Sequence, residues 1–228
     1  MKKSVRIAGL LFLVISLVEV TSLALGNEAV HPWLKPLLIP SLAAAALLAL
    51  LPEHKGRETT LLAIGLAFHT AGDILLLLDH LGFIWFALGL GAFLVGHFFY
   101  LAVLLGGMKG LRGWKEILCL VAPVILTPFV VSLFNAEGAM RIALCLYCVT
   151  LMSLVSAGVL WLLRGRPLGW RIVFGGVLFI LSDALVGLNA FSGVDFPLRH
   201  ALVIATYLAA EWLLVSGMVL QQLKQATE

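Results

Sequence analysis

Two aspartates stand inside runs that are otherwise apolar: Asp73 in GLAFHTAGDILLLLDH and Asp183 in GGVLFILSDALVGLNAF. An ionisable side chain at a bilayer centre costs roughly 2.5–3.5 kcal/mol, and such groups mark substrate pathways, proton relays or reaction centres. Two carboxylates in low-dielectric surroundings can divide the work. One holds a proton and acts as an acid, while the other stays ionised and stabilises positive charge. His69 lies four residues before Asp73 and so shares a helix face with it, where it could relay a proton. His97, Tyr100 and Asn189 lie in the same or equivalent apolar runs and could position a reactant.

The elements that must carry these residues follow from composition. The chain has 228 residues, of which 62% are hydrophobic and 12% charged, and its mean hydropathy is +1.10. A span needs about 20 apolar residues to cross the hydrocarbon core, and here such runs follow one another from end to end. The fold class is therefore an all-α, polytopic integral membrane protein. Residues 1–228 are read as a single transmembrane helical domain with eight spans. These lie near 4–25, 33–51, 59–79, 82–105, 115–134, 139–163, 170–191 and 198–221. The first is read as a retained helix, because its apolar run exceeds a signal h-region and contains Glu19. Pro36 and Pro40 in the second span, and Pro123 and Pro128 in the fifth, predict kinks.

Orientation follows from the basic residues. An N-in, C-in topology puts Lys2, Lys3, Arg6, Lys55, Arg57, Lys109, Arg112, Lys115, Arg164, Arg166, Arg171 and Lys224 on the cytoplasmic side. Only Lys35, Arg141 and Arg199 fall outside, which accounts for all 15 basic residues. They cap helices and form no patch, so nucleic acid is not an expected partner. Cys119, Cys145 and Cys148 lie in apolar segments and are read as small core residues. The tryptophans fall mostly near span ends, as in an interfacial belt.

Four acids remain at membrane depth: Glu19, Asp73, Asp183 and Glu211. Helix rise places Asp73 two turns from the outer end of its span and Asp183 similarly, with Glu19 and Lys35 in the same outer layer. Lys35 could meet a phosphate or pair with Glu19 or Asp73. Tyr207 and Glu211, four apart, share a face. Three chemistries stay open on these residues. The first is a metal-free acid mechanism on a lipid. The second is a hydrolase using zinc held by His69, His97, Asp73 and Asp183. The third is a proton-coupled carrier using the four acids as a relay.

The set of motifs resembles the YhhN family of eight-span membrane proteins. The matching segments are the Lys35-Pro36 entry to the second span, GLAFHTAGDILLL, FALGLGAFLVGHFFY, FILSDALVGLNAF and ATYLAAEWLLVSG. The resemblance implies hydrolysis of the vinyl-ether bond of lysoplasmalogens to a fatty aldehyde and a glycerophospho-ethanolamine or glycerophospho-choline. It implies Asp73 and Asp183 as the catalytic pair, with no metal and no cofactor. The expected partners are a lysophospholipid and the bilayer, and the expected location in a bacterium is the plasma (inner) membrane. Substrate contacts are expected from Lys35, His69, His97, Tyr100, Asn189, Glu19, Tyr207 and Glu211.

Overall fold

The computed structural model describes residues 3–52, 56–106, 108, 110–134 and 136–226. Lys2, Lys55 and Lys109, which entered the charge reading, lie outside the described residues. The elements are α1 Lys3–Ala24, α2 His31–Leu50, α3 Arg57–Leu76, α4 Phe83–Leu105, α5 Trp114–Val131, α6 Gly138–Leu163, α7 Gly169–Ser192 and α8 Arg199–Gln225, with a short 3-10 turn at Asp79–Leu81. All eight helices are long and apolar enough to cross a membrane. The protein is an all-helical, polytopic integral membrane protein.

The helices match the expected spans, with two informative departures. First, α3 stops at Leu76, because the chain enters the 3-10 turn before Phe83 starts α4. Asp73 is thus in the last turn of α3 rather than two turns from its end. Asp183 lies nine residues before the end of α7. Second, α8 continues to Gln225. Its last turns carry Gln221 and Gln222, which are polar but buried, and the Thr59 hydroxyl donates to the Gln222 side-chain oxygen at 3.1 Å. Hydropathy falls there while tertiary contact continues. The proline pairs of α2 and α5 lie inside helices that continue past them.

Long runs of apolar side chains face outward. Leu10, Leu11 and Leu17 on α1, and Val124, Ile125 and Phe129 on α5, are half or more exposed. A soluble protein could not keep such a surface; in a bilayer these residues meet lipid.

The described residues fall into two compact units. One comprises the described chain up to Val103 and from Met218 onward; the other runs from Leu104 to Gly217. In the first, α1 packs on α2 and α2 on α3. Phe12, Leu38, Ile39, Leu62 and Leu66 are almost wholly buried there. In the second, α6 packs on both α5 and α7. Trp161 belongs to that core instead of an interfacial belt, and its indole N–H donates to the Leu104 carbonyl at 2.7 Å.

Candidate active site

In the first unit, α3 and α4 approach each other through glycines. A Cβ on Gly96 would stand 2.1 Å from His69 Cδ2 and 2.4 Å from its Nε2. A Cβ on Gly65 would stand 2.8 Å from the Tyr100 ring. Only hydrogen at both positions lets these rings lie against the opposing backbone. The result is a box of rings. The His69 centroid lies 4.6 Å from that of His97, 4.6 Å from Tyr100 and 5.3 Å from Phe93. His69, His97 and Tyr100 are fully buried. Asp73 is 2% exposed and stands one turn after His69 on the same helix. Its neighbour Gly72 fits against Phe93, where a Cβ would meet the ring at 2.7 Å. The glycine of this GD pair therefore serves helix packing. His97 is an edge-on neighbour of His69.

The same unit holds a second polar group on α1 and α2. Glu19 is fully buried, and one of its carboxylate oxygens, Oε1, is paired with Nδ1 of His31. Lys35 is 8% exposed and lies four residues beyond His31, on the same face of α2. His31 was not among the candidates drawn from the sequence, and this pair was missed. The signal was available in the short connection from α1 to α2. An antiparallel hairpin brings the last turns of α1 beside the first turn of α2.

In the second unit, Tyr147 on α6 donates its hydroxyl to Oδ2 of Asp183 on α7 at 2.6 Å. Tyr147 is buried and Asp183 partly buried. Glu211, on α8, is fully buried. Ser182, beside Asp183, donates to the Val203 carbonyl at 3.0 Å and so ties α7 to the chain of α8. Tyr207 lies edge-on to Phe179, with centroids 5.6 Å apart. Asn189 donates to the Val194 carbonyl at 3.4 Å, a contact at the C-terminal end of α7. Tyr147 was not singled out in the sequence. It sits between Cys145 and Cys148 in the run CLYC, and no acid lies within a helical turn of it to mark the phenol. The three cysteines are free thiols.

Among the described residues of this unit, two ion pairs lie at helix ends. Arg164 donates to both carboxylate oxygens of Glu116 at 2.9 and 2.8 Å and to the Gly110 carbonyl at 2.6 Å. The Glu116 bonds raise the Arg164 guanidinium above its ordinary value. Asp195 accepts from Arg199 at 2.7 Å, and that bond, followed by the Phe196 N–H, holds the Asp195 carboxyl below its ordinary value. For the zinc alternative, no group of three or more His, Cys, Asp or Glu side chains able to hold a metal ion occurs among the described residues.

A model of the YhhN family matches residues 30–218. The chain belongs to the YhhN family. Two curated relatives named Lysoplasmalogenase, from Mycobacterium bovis and Mycobacterium tuberculosis, are each 29% identical over 222 residues. The match covers 92% of this chain and 80% of each relative. No solved structure matches. The YhhN match takes in Lys35, His69, Asp73, His97, Tyr147, Asp183 and Glu211, while Glu19 lies before its start.

Proposed function

We propose that this protein is a lysoplasmalogenase-type hydrolase that cleaves the vinyl-ether bond of a lysophospholipid within the membrane, using Asp73 and Asp183. One observation carries the reading. A YhhN chain, 29% identical to relatives named Lysoplasmalogenase, holds a buried aspartate on α3 and a hydroxyl-anchored aspartate on α7. Both units are taken as parts of one membrane domain with its N- and C-termini inside. In a bacterial cell the membrane is the plasma (inner) membrane.

The chemistry needs few groups. Protonation of the β carbon of the vinyl ether gives an oxocarbenium ion, water adds at the α carbon, and the hemiacetal collapses to aldehyde and alcohol. The requirements are a general acid, a carboxylate facing the developing positive charge, and a placed water. Asp73 is assigned the acid role, because His69 one turn earlier can return its proton. Asp183 is assigned the carboxylate role, because the Tyr147 hydroxyl gives it a fixed donor and a fixed orientation. Lys35 is assigned the substrate phosphate, and His97, Tyr100, Asn189, Tyr207 and Glu211 the surroundings of the substrate. Neither a serine nor a cysteine nucleophile is required.

The test is aldehyde release from a lysoplasmalogen by the purified protein in detergent or liposomes. Release that is lost in Asp73→Asn and in Asp183→Asn supports the reading. No release by the unaltered protein, or undiminished release by both variants, overturns it.

A further inference from the structure

We infer that Glu19 reads the ammonium of an ethanolamine headgroup, with Lys35 on its phosphate, and that this makes the protein selective for headgroups carrying an N–H donor. The inference rests on the proposed function only in taking a lysoglycerophospholipid as the ligand.

Glu19 is an acid in an apolar helix, five residues before the end of α1 and fully buried. Its Oε1 is paired with His31, while Oε2 is buried and has no hydrogen-bond partner among the described residues. A buried carboxylate oxygen without a donor is costly, more so than a neutral acceptor. An arriving N–H donor removes that cost, whereas a quaternary ammonium brings charge but no hydrogen. Lys35 supplies the complementary cation one helical turn beyond His31, and α1 packs on α2. His31 and Lys35 are thus about 5–6 Å apart at their Cβ atoms, and Glu19 is paired with the first of them. His31 is the member of the group open to solvent, with 23% of its side chain exposed, and it marks the side from which a headgroup would enter. Glu19 precedes the stretch matched by the YhhN family, so this feature is argued from the chain's own residues.

The experiment measures binding of saturated 1-alkyl lysophospholipids, which have no vinyl ether to cleave, in a series carrying none, one, two or three N-methyl groups. The first three keep at least one N–H and the last has none. The expected result is a step between two and three methyl groups. A hydrogen bond to a charged group sets that step at about ten- to a hundredfold in Kd. In Glu19→Gln the step should shrink to a few-fold, with unchanged helix content by circular dichroism and unchanged size by gel filtration reporting an intact fold. A smooth decline with added methyl groups, no dependence on methylation, no binding of any member, or a full step retained in Glu19→Gln overturns the inference. The unaltered protein alone can overturn it, so it does not hang on the variant folding. A retained step without aldehyde release from an alkenyl lipid would sink the hydrolase reading and leave the headgroup site standing.

Discussion

Asp73 and Asp183 are held by different forces. Around Asp73 the geometry is set by volume. Gly65, Gly72 and Gly96 let Tyr100, Phe93 and His69 press onto opposing backbone, and the aspartate sits in a helix turn fixed by that packing. Around Asp183 the geometry is set by hydrogen bonds. Tyr147 holds the carboxylate itself, and Ser182 ties its helix to the chain of α8. A site held by packing fails when atoms are added; a site held by hydroxyls fails when single oxygens are removed. The two regions should therefore respond to opposite kinds of substitution.

The largest effect is expected at the carboxylates, where the two regions should behave alike. Asp73→Asn and Asp183→Asn should each lower aldehyde release by roughly 10²–10⁴-fold, the range for loss of an acid–base group. Circular dichroism and gel filtration in detergent should show unchanged helix content and size. A variant that kept near-normal turnover would remove its aspartate from the chemistry and leave the other region to account for it.

Next in size is an added side chain in the packed region. Gly96→Val puts atoms where His69 Cδ2 would lie 2.1 Å from the new Cβ, with the Gly65 carbonyl at 3.1 Å on the other side. Overpacking of this kind costs about 1–3 kcal/mol. The thermal midpoint and the activity should fall together as the ring box opens. Gly91→Val is the matched control, because its Cβ would meet nothing within 4 Å. Equal destabilisation by both would show that the α3–α4 approach is not set by volume at Gly96.

Tyr147→Phe tests the other region with a smaller change. It removes one oxygen and the 2.6 Å bond to Asp183 while keeping the ring. A buried hydrogen bond to a charged group is worth about 1.5–3 kcal/mol, part of which a repositioned carboxylate recovers. About tenfold is expected in kcat with KM little changed, because the phenol orients Asp183 and does not hold the lipid. An equal rise in KM with constant kcat would move Tyr147 from positioning the carboxylate to binding substrate.

These contrasts show what sequence could and could not convey. Span number and type were legible because hydropathy integrates over twenty residues, and the intramembrane acids stood out against that background. The partners of those acids were not. His31 is twelve residues from Glu19, and Tyr147 is thirty-six from Asp183. Each pairing depends on which helix faces turn toward each other. Hydropathy also could not sense where α3 gives way to the 3-10 turn, since Leu77 and Leu78 are as apolar as the helix before them. That put the expected end of the span beyond the true one and Asp73 too deep. The end of α8 failed in the opposite sense, because Gln222 is polar in composition yet buried against Thr59.

The smallest effect is expected where neither volume nor burial holds the contact. Asp195 and Arg199 form an i, i+4 pair at the start of α8, and the Asp195 side chain is 69% exposed. Arg199 keeps the Asp195 carboxyl below its ordinary value of 3.8. A carboxyl lowered by folding adds stability above its unfolded value, and that stability is lost as pH falls through the lowered one. Arg199→Gln should therefore lower the thermal midpoint slightly at pH 7, and the gap from the unaltered protein should close as pH drops below 3.8. Added salt should shrink the gap at pH 7, since exposed pairs are screened. A gap that persisted at low pH and high salt would mean that Arg199 acts through packing, as in the glycine-lined region, and not through its charge.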